Sequence, residues 1–431
     1  MGILFSSFAS IFSLMRDSFS VVFDVWFIIF PPLLFFLFKI LWILYVQGRY
    51  ASNLKWVLLE IIPPRDVEKS PMLMEFIFNG FSGVTKSSNT AEQYILGEFP
   101  DSFSFEIASI DGQVHMYVRT REGYRSLVEG HFYAQYPDIE IVEVPDYIYN
   151  VPHTLPNKDW ELWGADFELL KDDLYPIRTY KYFEESVTGK MIDPLAGLIE
   201  TMGQSSPGTH LWLQFIVTPE KESWYETGRH TVDEFLGRAE EHKSLWGGLF
   251  FDIRDVFSNL IGGLMGKEVA FASKEGKEEK DEAPVEFRLT PGEKEILKAL
   301  ESNLGKYMYK VRMRYLYIAR KPVFSKLYGV SAFVGGLKQF TDHNMNSFRP
   351  SDSSKTDAKY LFAKERMRFR QRRLFRRYMA RDSDPQATRF YLSSEELATV
   401  FHIPDMSVTG PALTRTASKR GGAPANLPIQ E

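Results

Sequence analysis

The stretch FSFEIASIDGQVHMYV, residues Phe103–Val118, decides the fold. Phe103, Phe105 and Ile107 alternate with polar residues, which is the period of a half-buried strand. Asp111-Gly112 is a hairpin turn signal, and Val114, Met116 and Val118 carry the alternation onto the return strand. An antiparallel ribbon with one apolar face needs helices or a second sheet to cover that face.

The flanking sequence supplies the helices. Before the ribbon, Trp56–Ile62 (WVLLEII) reads as a strand ended by Pro63-Pro64. Asp66 can cap a helix that carries Met72, Phe76, Ile77 and Gly80. After it, Arg121–Gln135 reads as a helix and Ile139–Val144 as a strand. The order over residues 52–150 is β-α-β-β-α-β, the split ferredoxin-like pattern. A second α+β domain is expected over 158–350. Its strands are Trp163–Leu170, Tyr180–Phe183, Leu211–Val217 and Lys306–Ala319, and its helices are 193–202, 224–241 and 324–336. An insertion at 245–291 splits it. The tail of that insertion, KEGKEEKDEAPVE, is too charged to pack a core. The apolar, Gly-rich arm before it, from Trp246 to Gly266, reads either as an amphipathic membrane or partner contact or as a helix folded on the domain. The fold class is therefore α+β: an anchor, ferredoxin-like α/β sandwich units and a C-terminal Arg-rich helix.

Upstream lies the longest apolar run in the chain, VVFDVWFIIFPPLLFFLFKILWILYV, residues Val21–Val46. About 20 apolar residues span a bilayer core, so 20–47 reads as a transmembrane anchor. Pro31 and Pro32 interrupt it, and a proline costs a soluble helix about 3 kcal/mol. Two forms follow: a kinked single span, or a re-entrant hairpin bent at the prolines. Trp26 and Trp42 sit near the ends, where amphipathic rings prefer the interface. Leu4, Phe8, Ile11, Phe12 and Met15 share one helical face, so 1–19 reads as an amphipathic interfacial helix. Arg49, Lys55 and Arg65 follow the run, whereas Arg16 alone precedes it closely. The positive-inside rule then places the body in the cytoplasm, at the inner membrane of the cell.

Composition narrows the chemistry. There are no cysteines, which removes disulfides, thiolate metal sites and a cysteine nucleophile. The net charge of -5 argues against a global nucleic-acid footprint. Gly262–Glu268 (GGLMGKE) falls one residue short of a phosphate loop, and Glu268 replaces the hydroxyl that would hold magnesium. No zinc spacing of histidines and no Gly-x-Ser-x-Gly elbow occurs. The expectation is that no catalytic, cofactor or metal residue is present.

One charge cluster stands out. Lys359–Arg381 holds Lys364, Arg366, Arg368, Arg370, Arg372, Arg373, Arg376, Arg377 and Arg381 against the single acid Glu365. Met367, Leu374, Phe375 and Tyr378 fall at helical spacing within it. The run predicts an amphipathic helix with one apolar stripe. Arg368, Arg370, Arg372, Arg373, Arg376 and Arg377 are its candidate binding residues. Their ligand is nucleic-acid phosphate, anionic lipid, or an acidic surface in a partner or in the same fold. Residues 351–405 group this helix with a final strand-helix element. Residues 406–431, rich in Gly, Ala, Pro and Thr, read as a disordered tail.

Four stretches in order carry a resemblance. They are Asp193–Pro219 (DPLAGLIETMGQSSPGTHLWLQFIVTP), Gly336–Pro350 (GLKQFTDHNMNSFRP), the Arg-rich run, and Phe390–Asp405 (FYLSSEELATVFHIPD). With the anchor and the segment around Pro63-Pro64-Arg65 and Lys69, the chain resembles the membrane-anchored, non-catalytic N-terminal region of bacterial conjugative type IV secretion ATPases and coupling proteins. In that family a nucleotide-binding motor domain follows the last element, and no residues here match it. The resemblance implies a platform that docks a motor ATPase in trans, with DNA and further copies of the chain as possible partners. A membrane-tethered enzyme whose site is silent in the sequence is the competing class.

Overall fold

The computed structural model describes residues 26–64, 70–85, 89–183, 192–220, 223–236, 289–381, 389–405 and 415. The stripe expected at 1–19, the arm Trp246–Gly266, the Gly262–Glu268 segment and nearly all of the tail at 406–431 lie outside them.

Helix α1, Trp26–Ser52, leads into strand β1, Trp56–Ile62. Then come α2 (Met72–Phe81), β2 (Phe103–Ile110), β3 (Gln113–Arg121), α3 (Arg125–Gln135) and β4 (Glu140–Glu143). The order is the one read from the sequence, although β3 takes Arg121, so the helix starts four residues late. The second half runs β5 (Trp160–Leu169), α4 (Ala196–Gly203), β6 (Thr209–Pro219), α5 (Ser223–Phe235), α6 (Pro291–Leu304), β7 (Met308–Arg320), α7 (Phe333–Leu337) and β8 (Phe348–Pro350). Helix α8 (Ala363–Ala380), strand β9 (Phe390–Ser393) and helix α9 (Ser394–Val400) complete it.

The two expected domains share one antiparallel sheet of nine strands, ordered β4-β1-β3-β2-β6-β7-β5-β8, with β9 also on β7. The seam is β2 against β6, paired from Phe103↔Val217 to Ile110↔His210. Each would otherwise be an exposed edge with a row of unpaired amides, and joining them removes both edges. The two halves repeat one order: from the outside inward, β4-β1-β3-β2 and β8-β5-β7-β6. Strand β9 takes the part of the β7 edge that β5 leaves open, Met308–Val311.

Alternation divides the sheet into two unlike faces. Phe103, Phe105, Ile107, Leu213, Phe215, Val311, Met313 and Tyr315 face a large apolar core, closed by α2, α3, α4, α7 and α9. The opposite face carries Trp212, Leu316 and Ile318 together with buried Glu106, Gln214, Arg314 and Asp166. Helix α8 and the segment around Tyr147–Leu155 pack there.

Two expectations are corrected. Tyr180–Phe183 is a 3-10 turn, not a strand. Its neighbourhood finds partners on α9 instead of a ladder: Tyr180 N donates to Thr399 Oγ1 at 2.9 Å and Ile177 N to Glu396 Oε1 at 2.9 Å. The hairpin form of the anchor also fails. Helix α1 runs unbroken through Pro31 and Pro32 and ends at Ser52. Proline's fixed φ is compatible with a helix, and each ring costs one donor and crowds the carbonyl four residues before it. From Phe30 to Tyr45 the side chains of α1 are exposed, except half-buried Lys39 and Ile43. This is the one helix among the described residues long and apolar enough to cross a membrane.

Candidate functional site: the arginine-rich helix

Helix α8 is held onto the sheet from one side only. Gln371, Leu374, Phe375 and Tyr378 are its buried residues, and Met367, expected in the stripe, is half-buried. Gly164 on β5 makes the close approach possible. A Cβ there would lie 2.7 Å from Leu374 Cδ2 and 2.5 Å from Leu316 Cδ2. Gln371 serves the strand itself, donating from Nε2 to Leu162 O at 2.6 Å and to Glu161 Oε1 at 2.8 Å.

The C-terminal end of α8 is locked by charge. Arg381 is buried and donates from Nε and Nη2 to the two oxygens of Glu106, each at 2.9 Å. It also pairs with both oxygens of Asp146. Tyr147 donates to Glu106 Oε2 at 2.7 Å and meets the Tyr378 hydroxyl at 2.6 Å, while Gln214 Nε2 reaches Glu106 Oε1 at 3.0 Å. Burial pushes the Glu106 carboxyl up. The Arg381 charge and the hydrogen bonds from Arg381, Ser104 and Tyr147 outweigh it and hold the carboxyl at about 2. Burial and the Glu106 charge push the Tyr147 and Tyr378 hydroxyls well above the usual tyrosine range. A second buried pair, Arg314 Nε to Asp166 Oδ1 at 2.6 Å, lies on the same face.

The N-terminal end is fixed through the segment that borders β5. Gly164 N donates to Thr356 Oγ1 at 3.1 Å, and Thr356 N returns a bond to Gly164 O at 3.0 Å. Trp163 Nε1 and Lys326 Nζ both donate to Asp357, at 3.0 and 2.7 Å. Burial raises the Asp357 carboxyl, but those two donors leave it below its ordinary value. Arg370 Nη1 donates to Lys355 O and Asp357 O at 3.0 and 2.8 Å. Tyr360 and Phe362 then adopt left-handed backbone, φ 70° and 54°, and stand in solvent with Leu361.

The six expected arginines separate accordingly. Arg368, Arg372, Arg373 and Arg376 are exposed, and none of them is in an ion pair among the described residues. Arg370 is a structural clamp on the neighbouring backbone, and Arg377 is half-buried with an interaction of its own. Exposed Phe369 lies among the free cations. Arg366, Arg370, Arg373, Glu365, Phe369 and Ser353 line an open groove of about 440 Å³. Chemically the groove presents guanidinium groups beside an exposed aromatic ring, with one carboxylate, Glu365, among them. Among the described residues no three His, Asp or Glu side chains converge as a metal site. The anchor residues are placed on α1: Trp26 is its first residue, Pro31 and Pro32 lie in its first half, and Trp42 donates from Nε1 to Tyr94 O at 2.8 Å.

What sequence reasoning missed is Arg381. It ends the same charge run yet belongs to the core, and its one signal is its place one helical turn after Tyr378, the last residue of the stripe. Equally unforeseen were its partners Glu106 and Asp146, which sit in unrelated parts of the chain.

No curated protein matches the chain. Residues 51–416, which is everything from the end of α1 onward except the last residues, match the family described as Domain of unknown function (DUF8128), and the chain belongs to that family.

Proposed function

We propose that the chain is a membrane-anchored platform subunit of a type IV secretion-like system and that α8 is its dock for an anionic partner. In this reading α1 crosses the inner membrane once and the body lies on the cytoplasmic side, since Arg49, Lys55 and Arg65 follow the apolar run in the sequence. A motor ATPase binds in trans, and it or the DNA it moves meets the arginine face. Each half of the sheet is then a ferredoxin-like unit, since each places its third strand between the first and second and its fourth outside. The repeated strand order supports this. The resemblance of the Arg-rich run and its flanking stretches supports the secretion class.

One observation carries the docking role. Arg368, Arg372, Arg373 and Arg376 are exposed and form no ion pair among the described residues, on a helix locked from behind by Leu374, Phe375, Tyr378 and Arg381. A chain of net charge -5 has acids available to neutralise such a face, yet among the described residues none pairs with these four arginines.

The test is the full chain in lipid nanodiscs with those four arginines changed to Gln. Binding of the unmodified chain to DNA should weaken with salt, with a log-log slope of about 0.9 per neutralised phosphate on duplex and about 0.7 on single strands. The quadruple variant should lose most of that slope while its melting temperature holds. If it retains both DNA binding and every co-purifying partner, the docking role is wrong. Binding to anionic vesicles alone would replace the partner with a lipid surface.

A further inference from the structure

A second part of the body lies alongside α1. Residues 89–99 form a short segment with a single wide helical turn, Glu92–Leu96. It touches α1 at four levels. The Lys39 ammonium lies 5.2 Å from the Tyr94 ring centroid, Trp42 Nε1 donates to Tyr94 O, Gly97 sits on the Val46 carbonyl, and the Phe99 ring meets Tyr50 edge-on at 5.6 Å. Gly97 has φ +73°, and a Cβ there would come within 2.3 Å of Val46 O, so only glycine fits.

Depth follows from helix geometry. The apolar run ends at Val46, and Lys39 lies seven residues earlier, about 10 Å along the axis at 1.5 Å per residue. Tyr94 is therefore level with residues well inside the run. The two residues after it, Ile95 and Leu96, are 69% and 57% exposed. They follow Tyr94, which contacts α1, and α1 is itself apolar and exposed from Phe30 to Tyr45 apart from half-buried Lys39 and Ile43. Glu92 accepts from Asn89 N at 2.9 Å and Asn89 Oδ1 accepts from Glu92 N at 2.9 Å, so the carboxylate is occupied by the segment's own backbone. Just beyond, Arg121 lies over Tyr50, Phe99 and Trp56 and pairs with Asp101.

We infer that Tyr94, Ile95 and Leu96 enter the bilayer interface beside α1 and give the body a second membrane contact. Interfacial elements bury their apolar face about 5–10 Å into the headgroup and acyl boundary, which is the depth that the Lys39–Tyr94 level sets. Lys39 then has a reason to stand in an apolar run, because an aromatic face beside it shields a cation in a low-dielectric layer. Two contacts fix the tilt of the sheet against the membrane, which a lone helix cannot do. The inference goes beyond the docking role of α8 but rests on α1 lying in a membrane.

The absence of native cysteine makes the test clean. Single Ile95→Cys, Leu96→Cys, Phe35→Cys and Lys321→Cys variants of the full chain carry an environment-sensitive fluorophore, in vesicles of phosphatidylethanolamine and phosphatidylglycerol with spin-labelled lipids. Blue-shifted emission quenched by the lipid labels at 95 and 96, as at 35 and unlike 321, is expected. Quenching at 35 with water-like emission at 95 and 96 overturns this inference alone. Blue-shifted emission at 95 and 96 without lipid quenching means a protein contact and also overturns it. Water-like emission at all four positions removes the membrane reading of α1 itself.

Discussion

Arg381 lies across Glu106 with Nε and Nη2 each 2.9 Å from a carboxylate oxygen, although the two residues are 275 positions apart. The pair fastens the end of α8 to β2, in the first half of the sheet, and Asp146 adds a second carboxylate from the segment after β4. Breaking a buried pair from one side leaves an uncompensated charge, at a cost of about 3–5 kcal/mol. Arg381→Gln should therefore destabilise the chain by that order in urea titrations of the detergent-solubilised protein. Adding Glu106→Gln should recover part of the loss. Strictly additive losses would show that the two groups do not act as a pair.

The same pair sets an acid limit. The Glu106 carboxyl falls from its ordinary 4.5 to about 2 in the folded chain. A depressed carboxyl contributes stability in full above its unfolded value and loses it as pH falls through the folded one. The contribution should thus be complete above about pH 4.5 and fade towards pH 2. Glu106→Gln should flatten that part of the stability profile, read from denaturation midpoints at each pH. An unchanged profile would contradict the assignment.

The two tyrosines of the network should rank. Tyr147 donates to the Glu106 carboxylate, whereas the Tyr378 hydroxyl meets the Tyr147 hydroxyl at 2.6 Å. Tyr147→Phe removes a bond to a charged group and should cost about 1.5–3 kcal/mol; Tyr378→Phe should cost about 1 kcal/mol. Equal or reversed costs would mean that Tyr378 has the closer tie to the carboxylate.

Gly97 should be intolerant of any side chain. A left-handed Cβ costs roughly 1–2 kcal/mol, and here it also strikes the Val46 carbonyl. Gly97→Ala should speed hydrogen exchange over residues 92–99 and loosen α1. Gly83→Ala, where nothing lies within 4 Å, is the matched control.

Much of the chain was legible in advance because its signals are local. The β2–β3 alternation, the Asp111-Gly112 turn and the apolar run of α1 each depend on residues within a few positions of one another. The Arg-rich helix was legible for the same reason, down to Leu374, Phe375 and Tyr378 on its buried side. The division of its cations was not. Arg370 and Arg372 look alike in sequence, yet one clamps Lys355 O and Asp357 O and the other faces solvent. Tyr180–Phe183 failed as a strand because the amides of Ile177 and Tyr180 are answered by Glu396 and Thr399, more than two hundred residues away.

By itself the sequence determined most of the element types and one membrane-compatible helix, since periodicity, turn residues and apolar length act within a window of chain. Only the tertiary structure decided that the two halves share one sheet, that Arg381 belongs to the core, and that Tyr94 lies level with Lys39. These depend on pairings between distant segments, chosen by which edges, charges and apolar faces would otherwise be left open to water, and no local pattern encodes that choice.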